Sequence, residues 1–212
     1  MTSSVIIIGA GGHARVLISS LNILGRRLEG VLHPDTKIAG QFVAGIPIIG
    51  DDDEILRFDP LYVQLVNGVG STSSSYKRRE IFLRFKSMGY SFASVIHPSA
   101  QIMPHVRLEE GVQIMAGAIL QTGCVIGADA IINTGAILDH DCVVGDHVHI
   151  APGATLSGNV RVGAMAHVGT SATVIQGVRI GSGATIGAGA VVTGDIPENM
   201  IACGVPARTR NS

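Results

Sequence analysis

Residues 125–148 read VIGADA-IINTGA-ILDHDC-VVGDHV, four blocks of six with the same internal order. Each block has a branched aliphatic at its second position and a small or short apolar residue at its sixth. The register extends without insertion from Val95 to Ile196, giving 17 hexads. The second position is Ile, Leu or Val in all 17, and the sixth is Ala, Val or Cys in 16, Ile196 being the exception. An amphipathic helix repeats every 3.6 residues and a half-buried strand every 2, so neither produces this period. Short, fixed self-similarity of this kind specifies a β-solenoid. The aliphatic second position points inward, the small sixth fits where the chain bends, and Gly, Asn or Asp at positions three to five turns the corner. Three hexads close one triangular coil of 18 residues, so side chains 18 apart stack at about the 4.8 Å strand spacing.

Composition agrees with a repeat. The 212 residues are 46% hydrophobic but only 4% aromatic, with no Trp and 28 Gly, so the interior is built from small aliphatics in a regular array. A net charge of −1 and the lack of a basic stripe argue against nucleic-acid binding. The opening MTSSVIIIGAGGHARVL has no basic n-region, its apolar run stops at Gly9, and no run of about 18 apolar residues occurs anywhere. No signal peptide and no membrane insertion are expected. Cys124, Cys142 and Cys203 lack metal-ligand spacing and read as reduced thiols, with a cytoplasmic location.

Residues 1–94 follow a different grammar. SVIIIGAGG, LEGVL, IPIIG and LYVQLVNGVG read as strands. HARVLISSLNIL reads as a helix with Val16, Leu17, Leu21 and Leu24 on one side, and SSSYKRREIFLRFKSMG as a second with a serine cap and Gly89 at its end. DDDEILRF (from Asp51) reads as a helix start whose acids favour the positive N-terminal end, and not as a metal cluster. Strand–helix alternation predicts a small, Rossmann-like parallel α/β sheet. The expected organisation is an α/β domain over 1–94, a parallel β-helix over 95–196 and a tail over 197–212. Three strand-end loops point to one edge of the sheet: Gly9-Ala10-Gly11-Gly12-His13, the segment Leu32–Lys37, and Asn67-Gly68 onward. The carboxyl edge of a parallel sheet is where such folds bind ligands, and glycine amides opening a helix suit a phosphate.

Within the array ILDHDC stands out. His140 is at position four, a corner, flanked by Asp139 and Asp141, either of which can hold one ring nitrogen. Gly158 follows 18 residues later at the same corner of the next coil. His149 and His167 also stack 18 apart, at position one; two histidines make a weak metal site and read better as a partly buried pair. Cys124 and Cys142, 18 apart at position six, read as apolar fillers. His105 and His147 read as exposed corners.

The hexad array, preceded by IIIGAGGHARV and followed by GVPAR, with DHDCVVGDHVHIAPGATLSGNV between, resembles the left-handed β-helix of NeuD-type hexapeptide-repeat sugar acyltransferases, close to the bacterial nucleotide-4-aminosugar N-acetyltransferases. The resemblance covers essentially the whole chain. It implies acetyl transfer from acetyl-CoA to a UDP-4-amino-4,6-dideoxy sugar, feeding bacterial glycan synthesis, with no metal. It implies His140 as general base, Asp141 as its partner because the family's acid directly follows the histidine, and the Gly158 amide beside the oxyanion. It places Gly9, Gly11, Gly12, His13, Asp35, Lys37, Asn67 and Gly68 on the nucleotide sugar, and His149 near both substrates from a neighbouring subunit. Coenzyme A is expected in a groove between solenoids, with Arg208 or Arg210 on its phosphates, in a homotrimer with shared sites. Sialic acid O-acetylation uses the same fold and base and is the alternative. A γ-carbonic-anhydrase-like metal protein, drawing on His140, His149 and His167, or a non-catalytic solenoid is a more distant one.

Overall fold

The computed structural model describes residues 4–71 and 75–210. Within them the chain forms two compact units. The first runs to Gly70 and resumes over Lys77–Val95; the second takes Ile96 onward, together with Ser71, Ser75 and Tyr76.

In the first unit, strands β1 (Ser4–Ile8), β2 (Leu28–Leu32), β3 (Phe42–Val43), β4 (Ile46–Gly50), β5 (Val63–Asn67) and β6 (Ser91–Phe92) make one sheet in the order β3-β4-β2-β1-β5-β6. The sheet is parallel apart from β3, which folds back on β4 through Ala44 and Gly45, both at positive φ. The fully parallel sheet expected from the sequence is therefore mixed at one edge, because Ala44-Gly45 makes a two-residue hairpin turn. Helix α1 (Gly12–Ile23) buries Ala14, Leu17, Ile18 and Leu21, while Val16 and Leu24 are 45% and 40% exposed. The expected stripe holds at Leu17 and Leu21 but not at Val16 and Leu24: Ala14 and Ile18, each i, i+3 before one of those leucines, complete the buried face. Helix α2 (Tyr76–Ser87) is followed by Gly89 at φ +90°. Of the serines expected to cap it, Ser73 and Ser74 lie outside the described residues. The acidic run begins a short 3-10 segment, Asp52–Arg57, with the Asp51 carboxylate accepting from the Asp53 N–H at 3.0 Å.

In the second unit, strands of two residues recur every six residues from Val95–Ile96 to Val191–Val192 and stack into three parallel sheets. The coil is a left-handed β-helix. Ladder partners are 18 residues apart, as in Ile137↔Thr155 and His149↔His167. Second-position residues from Ile114 to Val192 and sixth-position residues from Val112 to Ile196 form one continuous core. The fifth position has a conformation of its own: from His105 to Gly189, every residue at this position has positive φ. Its occupants include Asp129, Asp141, His147, Asn159, Met165 and Ser171 as well as glycines. Corner-turning is thus the work of position five. Third-position glycines answer to close stacking: a Cβ on Gly127, Gly145 or Gly163 would meet the next coil's backbone at 2.6, 2.7 and 2.5 Å.

Candidate active site

His140 leaves the coil at the corner after the second sheet. The Asp139 carboxylate accepts from the His140 backbone N–H at 2.8 Å, fixing the main chain. Asp141 follows at φ +58°, and this left-handed turn sends its side chain back so that Oδ2 lies 2.9 Å from His140 Nδ1. The pair of carboxylates is thereby divided, Asp139 on the backbone and Asp141 on the ring. Two glycines make room for this. A Cβ on Gly123, one coil before, would strike Asp141 Oδ1, and one on Gly158, one coil after, would strike the His140 ring at Nε2 and, at 2.6 Å, Cε1. The Nε2 end of the imidazole is set against Gly158, which is buried. Position-four amides take no part in the inter-coil ladder, and among the described residues the Gly158 N–H has no acceptor. With Nδ1 committed to Asp141, Nε2 is the nitrogen left to exchange a proton. The Asp141 hydrogen bond, aided by the Asp139 charge and opposed by partial desolvation, holds the imidazole above its ordinary pKa of 6.5.

His149 projects from the first sheet and is 8% exposed. Its Nδ1 lies 2.7 Å from the Ser71 carbonyl and its Nε2 3.0 Å from Asn133 Nδ2. The ring therefore donates to Ser71 and accepts from Asn133, which fixes the neutral tautomer with the proton on Nδ1. His167 packs edge-on at 4.9 Å, with desolvation lowering its pKa. The sequence reading missed Asn133; its signal was a third-position amide 16 residues before His149, where glycine is common. His140 and His149 project from different sides of the coil, so one chain does not bring them together. His147, expected as an exposed corner, is 6% exposed and its Nδ1 lies 3.1 Å from the fully buried Asp129. The cause is the fifth position: both residues are left-handed and one coil apart, so their side chains meet along the stack. His105, in contrast, is exposed. The Cys124 and Cys142 thiols are buried and donate to the carbonyls of Asp139 and Ser157, at 3.2 and 3.3 Å. The neighbouring Cys124 thiol and burial push the Cys142 thiol up, so it stays protonated.

In the first unit, Gly9 turns at φ +97° after β1, and its N–H bonds the Leu32 carbonyl at 2.8 Å. Gly68 packs against Ile7, the Ile8 carbonyl and Ala14, where a Cβ would be 2.8–3.0 Å away. Gly11 and Gly12 differ: both are exposed at the start of α1, and a Cβ on either would meet nothing within 4 Å. Gly70 lies beside His13, a Cβ there reaching His13 Cβ at 3.3 Å. Asn67 is 1% exposed, and its amide binds the Arg78 carbonyl and the Val69 N–H, so it holds the loop together from inside. Arg78, which the sequence reading passed over, is buried and donates from Nη1 to the carbonyls of Asn67 and Val69, both at 2.9 Å. Asp35 is exposed and accepts from the Lys37 N–H at 3.0 Å, capping the 3-10 turn Thr36–Ile38. Arg208 is exposed on the last strand, Arg208–Arg210. Among the described residues, no group of three or more His, Cys, Asp or Glu is placed to hold a metal, and no helix is long and apolar enough to cross a membrane.

Residues 123–158 match the family model for the bacterial transferase hexapeptide (six repeats), and residues 4–85 match that for the PglD N-terminal domain. No curated protein matches the chain. Among solved structures, perosamine N-acetyltransferase from Caulobacter crescentus, a histidine-to-asparagine mutant in complex with CoA and GDP-perosamine, is 38% identical with a TM-score of 0.92, the match covering 100% of this chain and 99% of that one. The acetyltransferase domain of PglB from Neisseria gonorrhoeae FA1090, in complex with acetyl coenzyme A, is 35% identical over 99% of this chain and 100% of that one, with a TM-score of 0.91. WeeI from Acinetobacter baumannii AYE is 25% identical over 99% and 100%, with a TM-score of 0.88. With its glycine-turn α/β unit, its hexapeptide coil and these full-length likenesses, the chain belongs to the NeuD-type hexapeptide-repeat sugar acetyltransferases.

Proposed function

We propose that the protein transfers an acetyl group from acetyl-CoA to the amine of a nucleotide-linked amino sugar. The observation that carries this reading is the His140–Asp141 pair with Nε2 set against Gly158, whose N–H has no acceptor among the described residues. His140 Nε2 takes a proton from the neutral sugar amine as its nitrogen attacks the thioester carbonyl carbon. A C–N bond forms, and the carbonyl electron pair moves to oxygen, where the Gly158 N–H donates to it. Collapse breaks the C–S bond, and the imidazolium returns the proton to the leaving thiolate, giving the amide and free CoA. Asp141 fixes the tautomer and stabilises the imidazolium. No covalent enzyme intermediate is needed, consistent with a Cys142 thiol that is buried and held protonated. The backbone of the exposed Gly11 and Gly12 at the start of α1, with His13, is suited to the acceptor's phosphates. Gly9, Gly68 and Asn67 shape the loops, and Asp35 and Lys37 border them.

The full proposal is a UDP-4-amino-4,6-dideoxy sugar as acceptor, in a cytoplasmic homotrimer. The trimer is supported by His140 and His149 lying on different sides of one coil, so that a shared site draws them from two copies. The Caulobacter neighbour is bound to GDP-perosamine, so the acceptor panel pairs uridine and guanosine diphosphate amino sugars with free sialic acid. Thiol release from acetyl-CoA is followed for each. Turnover confined to nucleotide amino sugars supports the reading, and turnover of sialic acid alone overturns it. His140→Ala is expected to retain no more than about 1% of wild-type kcat, because a general base contributes at least about 10²-fold.

A further inference from the structure

Two of the chain's three cysteines share one corner of the coil. After the second sheet the sixth hexad position reads Val106, Cys124, Cys142, Val160 and Val178 on successive coils, whereas after the first sheet it is alanine from Ala100 to Ala190. Both thiols are fully buried, and each donates to a third-position carbonyl of the next coil. Cys124 bonds Asp139, the residue before the base, and Cys142 bonds Ser157, the residue before Gly158. At the corner after the first sheet that carbonyl is taken by a turn amide of its own hexad, as in Ala136 N–H to Asn133 at 3.0 Å and Ala154 N–H to Ala151 at 3.2 Å. Among the described residues no backbone N–H reaches the carbonyl of Asp139 or Ser157, so the thiols are what hold them. The two peptides differ at their other end. Asp139 takes the His140 N–H at 2.8 Å, so the 139–140 peptide is fixed at both ends. Thr134 and Ala128, also at the fourth position, have their N–H groups taken by Asn133 and Asp146, at 2.8 Å each. The 157–158 peptide is held at its carbonyl alone. Cys142 Sγ reaches the Ser157 oxygen from the core at 3.3 Å, and because carbonyl and N–H point in opposite directions in a trans peptide, the Gly158 N–H is turned away from the core. Glycine has no Cβ to limit the swing of this plane.

We infer that Cys142 is a positioning residue: its thiol fixes the 157–158 peptide plane, so that the Gly158 N–H is already aimed when the oxyanion forms. The inference rests on the reading of the chain as an acetyltransferase that uses this amide. Polarisation adds to the aim, since a carbonyl that accepts a hydrogen bond makes the N–H of the same peptide a better donor. The base, its acid and the thiol are then three consecutive residues, His140, Asp141 and Cys142. Cys142 does more than fill the small apolar slot that its sixth position suggests. Cys124 makes the same bond one coil earlier, but to a peptide that Asp139 also secures.

The test follows steady-state thiol release from acetyl-CoA with the uridine or guanosine diphosphate amino sugar that wild type turns over. Cys142→Ala and Cys142→Val introduce residues that the sixth position already uses, so the coil is kept while the donor is removed. Each is expected to lower kcat about ten-fold, part of the roughly 10²-fold that loss of an oxyanion donor costs, with both KM values within about two-fold of wild type. Cys142→Ser returns a donor and should bring kcat to within about three-fold of wild type. The acid limb of the pH profile should not move in any Cys142 variant, because the base and its carboxylate are untouched. Cys124→Ala is the matched control, and its kcat should stay within about two-fold of wild type. Thermal unfolding and kcat per folded enzyme are measured throughout. The inference is overturned by Cys142→Ala and Cys142→Val enzymes within about two-fold of wild-type kcat, by a Cys142→Ser enzyme no better than Cys142→Ala, or by an equal fall in Cys124→Ala, which would assign the effect to packing. If wild type releases no thiol with any acceptor, the transferase reading fails and takes this inference with it; if wild type turns over and the Cys142 variants match it, the positioning role alone fails.

Discussion

Gly158→Ala is the most economical probe of the site, because it adds one methyl group and no charge. The backbone at Gly158 is outside the positive-φ region, so alanine is accommodated without main-chain strain. The new Cβ meets His140 Nε2 and sits 2.6 Å from Cε1 and 3.1 Å from Cδ2. Relieving that contact requires the imidazole to move by about 1 Å, and the ring is half exposed, so it can swing outward. A displacement of this size at a reacting group costs about 10²-fold in rate. The coil should not be weakened, since Gly→Ala at a compatible site stabilises by about 0.4–1 kcal/mol. Gly194→Ala is the matched control: Gly194 has the same hexad position two coils further on, and a Cβ there meets nothing within 4 Å. Steady-state thiol release and thermal unfolding are measured on both. The expected result is a kcat near 1% of wild type for Gly158→Ala, wild-type kcat for Gly194→Ala, and Tm unchanged or slightly raised in each. A Gly158→Ala enzyme with more than about a third of wild-type kcat refutes the argument that the ring must sit against Gly158 to work.

Asp141→Asn removes the main support for the raised His140 pKa, so that pKa falls toward 6.5. The reaction needs neutral imidazole, and wild-type activity is lost as pH drops through the raised value; in the variant the acid limb of the kcat/KM profile should move to lower pH, under a plateau reduced at least ten-fold. An unmoved limb counts against His140 as the titrating base. His147→Ala leaves Asp129 buried without its imidazole partner and should cost about 2 kcal/mol in urea unfolding, with kcat per folded enzyme within two-fold of wild type. Arg78→Met removes the donor to the Asn67 and Val69 carbonyls and should raise the nucleotide-sugar KM about ten-fold while leaving the acetyl-CoA KM alone. Equal changes in both constants would point to general unfolding of the enzyme.

The coil was legible in the sequence because a six-residue period puts every sixth residue in the same surroundings, so one rule is tested many times over. The His140–Gly158 stacking followed from that period alone. The left-handed fifth position was half hidden, since Asp, His, Asn, Met and Ser occupy it beside glycine, and composition alone does not reveal a conformation that stacking enforces. The burial of His147 was hidden for the same reason: its partner is 18 residues away and turns toward it only because both are left-handed. Outside the repeat each inference had a single trial. In helix α1, Leu17 and Leu21 were placed correctly but Val16 and Leu24 were not, because these two are as hydrophobic as the residues that are buried. The role of Arg78 was illegible, because a cation in a charged helix reads as solvated unless the loop it ties is known. Asn133 occupies a position where glycine serves elsewhere, and only the three-dimensional neighbour, His149, gives its amide a purpose.

The 18-residue step has one more consequence. Position along this coil is counted in whole turns, so the structure behaves as a ruler with graduations of about 4.8 Å. Excising one full turn downstream of Gly158 leaves the base, its acid and the amide untouched and shortens the distance to whatever holds the far end of the donor by one graduation. Excising six residues instead rotates everything beyond the cut by a third of a turn, exchanging one face for another. Reach and chemistry can thus be varied independently in this fold, the first by the number of turns and the second by the residues at a single corner.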